Sequence, residues 1–163
     1  MCGICGIFGD PSTSAAEAMV AALRHRGPDD CGTFQDHAVV LGHARLSIID
    51  VSARGHQPMR NEDGSVSIVF NGEAYGFADT RRRLEALGHR FASDSDTEVV
   101  LRLYEQYGDA FAEYLRGIFA CAIYDRRRGG SLSPARRPCS TSAPSTASAR
   151  SMPGSRRSSS ACC

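Results

Sequence analysis

The chain has 163 residues, a formal net charge of +1 at pH 7, 42% apolar residues and 23% charged ones, a profile that fits one globular domain with a buried core. No apolar run approaches the roughly 20 residues needed to span a bilayer, no secretory leader is recognisable, and an odd count of seven cysteines reads as reduced thiols, so a cytoplasmic protein without a membrane partner is expected. Charge is uneven along the chain: every acidic residue lies at or before Asp125, leaving the first 125 residues at −7 and the remainder at +8.

Residues 2–9 (CGICGIFG) predict a buried strand that ends in a turn at Gly9-Asp10-Pro11. Residues 12–27 (STSAAEAMVAALRHRG) predict a helix capped at Ser14 or a neighbour, with Glu17 early and Gly27 as its stop. After a loop at 27–32, residues 32–50 alternate well enough for two strands joined near Asp36-His37. Residues 65–75 (SVSIVFNGEAY) predict a strand running into a tight turn at Asn71-Gly72, a dipeptide that favours positive φ. An amphipathic helix is expected over 77–89, with Phe77, Leu84 and Leu87 on one side and Gly88 as its end. Over 95–108 a second helix carries Val99, Leu103 and Tyr107 at i, i+4 and i+8, flanked by Val100 and Tyr104, with Ser95 or Asp96 as its cap. Residues 109–115 predict a short helical turn and 117–125 (GIFACAIYD) a buried strand. Helices and strands mix without βαβ alternation, which favours an α+β layered fold.

Cys2 is the first chemically pointed residue. Termini fray unless tied down, so a thiol there is a poor core element, although a buried thiol in an edge strand remains the competing reading. If Met1 is removed, one residue carries both a nucleophilic sulfur and the α-amine able to take its proton near neutral pH. Asn71 and Gly72 could aim an amide and a backbone N–H at a developing oxyanion; alone, they make a hairpin turn. Arg45 could clamp a carboxylate in a bidentate fork or lie in a surface ion pair. Asp96 could bind an ammonium group or simply cap its helix. His25, His43 and His56 show no ligand spacing and read as structural or surface residues, so no metal site is expected. Cys2 and Cys5 also make a C-x-x-C pair, but without the strand–helix setting of a redox motif.

The blocks MCGICGIFG, HRGPDDCG, GHARLSIID, QPM, VFNGEAY and SDTEVVLRLYEQYG, in that order, closely resemble the class II glutamine amidotransferase domain of the asparagine synthetase family, from Met1 to about Arg128. The resemblance implies an N-terminal nucleophile hydrolase fold, an αββα sandwich, with L-glutamine as substrate. It further implies that Cys2 attacks the glutamine side-chain amide, releasing ammonia and leaving a γ-glutamyl thioester for water. Asn71 and Gly72 match the family's oxyanion hole. Arg45, with the backbone of Leu46, Ser47, Ile48 and Ile49, matches the α-carboxylate site; Asp96 matches the group that holds the α-amine, and Glu73 lines the same pocket. Ala74 and Gly76 depart from the family's N-G-E-I-Y-N pattern, which predicts looser packing beside the oxyanion turn.

The folded domain is expected over residues 2–128. Residues 129–163, rich in Ser, Pro, Ala and Arg and nearly free of large apolar side chains, predict a disordered tail; lacking interleaved aromatics, it does not read as a nucleic-acid binder. The family's next apolar strand, its ARDRxGxKPLYY-like segment and its S-G-G-x-D-S-type loop do not follow, so the chain reads as a truncated or frame-shifted front part with an incomplete, marginally stable sandwich. ATP and Mg are expected only in the missing synthetase domain, with no cofactor in this chain, and a homodimer stays open for an intact enzyme. Two alternatives stand beside the glutaminase: a catalytically silent remnant or glutamine-binding regulatory module, and a thiol-based metal or redox module using Cys2, Cys5 and Cys162-Cys163.

Overall fold

A computed structural model describes residues 1–9 and 12–128, together with the backbone alone of 131–137, 145–146 and 159–162. Strand β1 (Gly3–Phe8) leads to helix α1 (Thr13–Leu23), then to a hairpin of β2 (Asp30–Asp36) and β3 (Val39–Arg45). The two-residue strand β4 (Met59–Arg60) precedes β5 (Val66–Ala74), helices α2 (Phe77–Ala86) and α3 (Asp96–Tyr107), and β6 (Gly117–Asp125). Strands β7 (Ser131–Arg137), β8 (Ser145–Thr146) and β9 (Ser159–Cys162) follow. All pairing is antiparallel, in two sheets ordered β2-β3-β1-β9 and β4-β5-β6-β7-β8.

The period of two along each strand sorts side chains into layers. Ile4, Val39 and Leu41 of the first sheet meet Val69 and Tyr124 of the second. One position along, Cys5 and Ala44 turn the other way, onto Val20 and Leu23 of α1. Val66, Ile68 and Phe70 of β5 face outward onto Val99, Val100, Leu103 and Tyr104 of α3. The order is therefore helix, sheet, sheet, helices: the expected α+β sandwich of αββα type. Strand β3 is buried along its whole length because both faces are covered. At one end the sheets are tied by Asp36, whose carboxylate accepts from Arg126 Nε at 2.7 Å and Tyr124 Oη at 3.1 Å. The Arg126 bond, the His37 N–H and the Tyr124 hydroxyl outweigh burial and hold the Asp36 carboxyl down at about 2.

Several local expectations are corrected. Strand β3 stops at Arg45 rather than running on to Asp50, because the next backbone groups are taken elsewhere: the Leu46 N–H by Cys2 Sγ and the Ser47 N–H by Asp29. Asn71-Gly72 is not a turn; it lies inside β5, opposite Ala120 and Phe119 of β6. Gly72 does take a positive φ of 150°, and an added Cβ would collide with the Ile118 carbonyl. Ser12, close to Ser14, holds the start of α1 and Ser95 that of α3, both among the caps expected. Leu87 falls outside α2 and is exposed, since Gly88 at φ 96° closes the helix with bonds from the Gly88 and His89 N–H groups back to Glu85 and Leu84. Gly76 precedes α2 at φ 68°, a conformation glycine adopts without strain, so it fits this junction instead of loosening it. Of the expected tail, 131–137 runs as β7 against β6; backbone pairing along an open edge needs no apolar side chain. Residues 145–146 and 159–162 of the same stretch also run as strands, β8 against β7 and β9 against β1; the remainder of that expectation, and the Asp10-Pro11 part of the first turn, lie outside the described residues.

Helix α3 is buried almost all round from Asp96 to Tyr104, and Leu101 is fully covered although it is off the predicted stripe. Leu101→Ala is expected to lower the free energy of unfolding by about 3 kcal/mol, and Leu87→Ala by under about 0.5 kcal/mol, in urea titrations of the two variants.

Candidate active site

Beyond Ile68, the outer edge of β5 has no strand partner among the described residues, because β4 pairs only with Ser67 and Ile68. Side chains take the place of a strand. The Phe70 N–H donates to Gln57 Oε1 at 2.7 Å, and the Ala74 N–H to Asp96 Oδ2 at 3.2 Å. Strand alternation directs the Gly72 N–H, between these two, to the same edge. That edge opens into a cavity of about 230 Å³ whose lining includes Met1, Cys2, Arg45, Leu46, Ile48, Ile49, Asn71, Gly72, Glu73 and Asp96, together with Asp50, Gln57, Phe70, Tyr75, Thr97 and Ile118.

The first strand brings Cys2 beside Arg45, because Gly3 pairs with Ala44. Cys2 Sγ accepts the Leu46 N–H at 3.4 Å and lies 3.7 Å from the Leu46 carbonyl oxygen, to which the thiol can donate. The C-x-x-C reading fails on strand geometry: Cys5 packs against α1 while Cys2 lines the cavity. Met1 is exposed and lies at the cavity wall.

Arg45 is 7% exposed. Its guanidinium donates to the Ser52 carbonyl at 3.1 Å and to the Asp50 carbonyl, with Asp30 Oδ2 at 4.0 Å. Arg45 therefore builds the loop that follows it as well as lining the cavity. Asp50 continues this work, accepting the Ser52 N–H at 2.8 Å and the Asp94 N–H at 3.1 Å, which joins the loop to the approach of α3. The Ser52 hydroxyl above all, with the Ser52 and Asp94 N–H groups and the Arg54 charge, holds the Asp50 carboxyl below its ordinary value despite burial. Ser47 does not reach the cavity; its N–H is held by Asp29 at 2.8 Å, and it borders a separate shallow depression with Asp30, Val51 and His56.

Asp96, at the first turn of α3, is 5% exposed. Burial pushes its carboxyl up against the N–H bonds from Ala74 and Thr97, and the neighbouring Glu73 charge adds to the rise. A cation placed here would remove much of that cost. Asn71 Oδ1 is buried with no hydrogen-bond partner among the described residues. The cavity thus has a buried cation at one wall, a buried carboxylate at another, and a thiol beside a strand edge carrying an amide side chain and a directed N–H. This arrangement can hold a zwitterion and present its remaining group to sulfur.

Gln57 and His43 escaped the sequence reading as functional residues. Gln57 stood in view within the QPM block, but nothing in its spacing shows that its amide lies between β5 and α3. His43 is fully buried between the sheets, with Nε2 3.2 Å from the Phe70 carbonyl. Burial lowers its pKa to about 4, more than the Phe70 bond and Asp30 oppose; Arg45 and His56 add to the lowering.

This two-sheet sandwich, with its cavity beside Cys2, has the N-terminal nucleophile hydrolase fold. It superimposes on the glutamine phosphoribosylpyrophosphate amidotransferase from B. subtilis with a TM-score of 0.70 at 20% identity, covering 83% of this chain and 37% of that one. The chain belongs to the glutamine amidotransferase domain family, which it matches over residues 1–136. It is 43% identical over 133 residues to an asparagine synthetase [glutamine-hydrolyzing] of Bacillus subtilis, covering 77% of this chain and 21% of that protein. It is also 38% identical over 144 residues to the amidase chry2 of Gibberella zeae, covering 78% of this chain and 21% of the other. The chain spans about a fifth of the length of these curated relatives. Among the described residues, no helix is long and apolar enough to cross a membrane, and no group of three or more His, Cys, Asp or Glu is placed to hold a metal ion.

His43 gives the site a pH signature. Its folded pKa lies below the unfolded value of 6.5, so the unfolded chain binds the extra proton. The stabilisation is complete above pH 6.5 and is lost as pH falls toward about 4, amounting to about 3 kcal/mol. His43→Gln is expected to flatten that slope in urea titrations between pH 6.5 and 4.5.

Proposed function

We propose that this domain hydrolyses the side-chain amide of L-glutamine to glutamate and ammonia, with Cys2 as nucleophile once Met1 has been removed. The observation that carries this reading is the convergence of Cys2, Arg45, Asn71, Gly72 and Asp96, from separate segments of the chain, on one cavity of about 230 Å³. The substrate carboxylate pairs with Arg45 and the backbone of Leu46, Ile48 and Ile49. The α-ammonium pairs with Asp96 and Glu73. A head held at both ends directs the amide carbon at sulfur, and an analogue lacking either charge leaves a buried partner unpaired.

The α-amine of Cys2 takes the thiol proton as sulfur attacks the amide carbon. Negative charge gathers on the amide oxygen, where the Asn71 side-chain amide and the Gly72 N–H donate to it. The C–N bond then breaks, the ammonium proton passes to the departing nitrogen, and ammonia leaves a γ-glutamyl thioester. Water, activated by the same amine, cleaves the thioester to glutamate and restores the thiol. In a longer protein like the asparagine synthetases, this ammonia would go to ATP-dependent amidation of aspartate, with ATP and Mg held outside this domain.

A second reading has its own observation. With Met1 in place at the cavity wall, the Cys2 nitrogen is a peptide amide and cannot act as base, so a chain that keeps Met1 would bind glutamine without hydrolysing it. Ammonia release from glutamine by the purified chain separates the two. It is expected from protein lacking Met1 and is lost in Cys2→Ala. Asp96→Asn is expected to raise KM by about tenfold or more with kcat within about threefold. Equal activity in Cys2→Ala overturns the assignment.

A further inference from the structure

The backbone of Phe70, just before Asn71, is held in an unusual way. Phe70 lies past the end of β4, so its N–H and carbonyl face an edge that no strand of the described residues covers. Two side chains from different layers take them. Gln57 Oε1 accepts the N–H at 2.7 Å, and His43 Nε2 lies 3.2 Å from the carbonyl oxygen. A carbonyl only accepts, so Nε2 carries the ring proton, and Nδ1 is left buried without a partner among the described residues. Gln57 Nε2 then donates to Thr97 Oγ1 at 3.1 Å, one residue from Asp96. Phe70, Gln57 and His43 are all buried, where an unmatched peptide group is costly.

We infer that His43 and Gln57 are positioning residues that hold the two peptide units flanking Phe70 at this one edge and thereby fix the direction in which Asn71 and Gly72 face the cavity. Gln57 also ties that wall to the start of α3, so the donors at one end of the cavity and the carboxylate at the other share one support. The inference rests on the glutaminase reading for its effect on turnover, but the clamp has a readout of its own.

The test uses the full chain with His43→Leu, His43→Gln and Gln57→Leu. Leucine removes the bond at similar volume, whereas glutamine offers an N–H where Nε2 stood. In the two leucine variants, amide hydrogen exchange at Phe70, Asn71 and Gly72 is expected to speed at least about tenfold, with Val66 and Ser67 unchanged. For glutamine hydrolysis, His43→Leu is expected to lower kcat about tenfold or more with KM within about threefold, and His43→Gln to recover most of the loss. Gln57→Leu should lower kcat and also raise KM, because the Thr97 bond goes with it. Gln57→Leu, on a separate segment, carries the exchange test should His43→Leu not fold. Unchanged exchange at these three amides, exchange raised equally along β5, or a His43→Gln variant as impaired as His43→Leu overturns the inference. A parent chain that releases no ammonia while the exchange pattern holds counts against the glutaminase reading and supports the clamp.

Discussion

The structure turns on a strand edge that no strand among the described residues completes. Strand β5 is paired along its full length with β6, but its outer edge loses β4 after Ile68. An open edge inside a protein would leave N–H and carbonyl groups unsatisfied. Here Gln57, His43 and Asp96 take the Phe70 and Ala74 groups between them. What remains is a short length of backbone around Asn71 and Gly72 that faces a cavity instead of a neighbour. A longer β4 would close the edge and leave no directed donors. A shorter set of side chains would leave the edge ragged. The sandwich supplies the rest: β1 and β3 bring Cys2 beside Arg45, and α3 brings Asp96 to the far wall.

The electrostatics follow the same economy. Arg45 and Asp96 are both buried, on different walls of the cavity, and no ion pair joins them among the described contacts. Each is held by backbone groups instead: Arg45 by the Asp50 and Ser52 carbonyls, Asp96 by the Ala74 N–H. Backbone dipoles offset only part of the desolvation of a full charge, and the raised Asp96 pKa is the visible remainder. In the proposed reaction the zwitterionic head of glutamine answers both charges together, which couples binding to the placement of its amide.

Much of the fold was legible because it follows periodicity. The alternation around Val39–Arg45 and the i, i+4 stripe through Val99 and Leu103 were read nearly as they occur. Errors arose where a distant partner decides the local form. Asn71-Gly72 has strong turn preference in isolation, yet β6 runs past it and keeps it in the strand. The strand expected through Leu46 and Ser47 yields to Cys2 and Asp29, which capture those N–H groups. Cys2, Arg45, Asn71, Gly72, Glu73 and Asp96 were named from motif order and do share one cavity, whereas Ser47 turns away from it. Gln57 and His43 were not legible as supports, because each acts on the Phe70 peptide, to which no spacing rule connects them.

The most direct test of the account is covalent labelling with a glutamine analogue that carries an electrophile in place of the side-chain amide, read by intact mass and peptide mapping. The account predicts a single adduct on Cys2, only in chains that have lost Met1, and protection by L-glutamine. Labelling spread over Cys2 and the exposed Cys31 without protection, or none on chains that begin at Cys2, would contradict it.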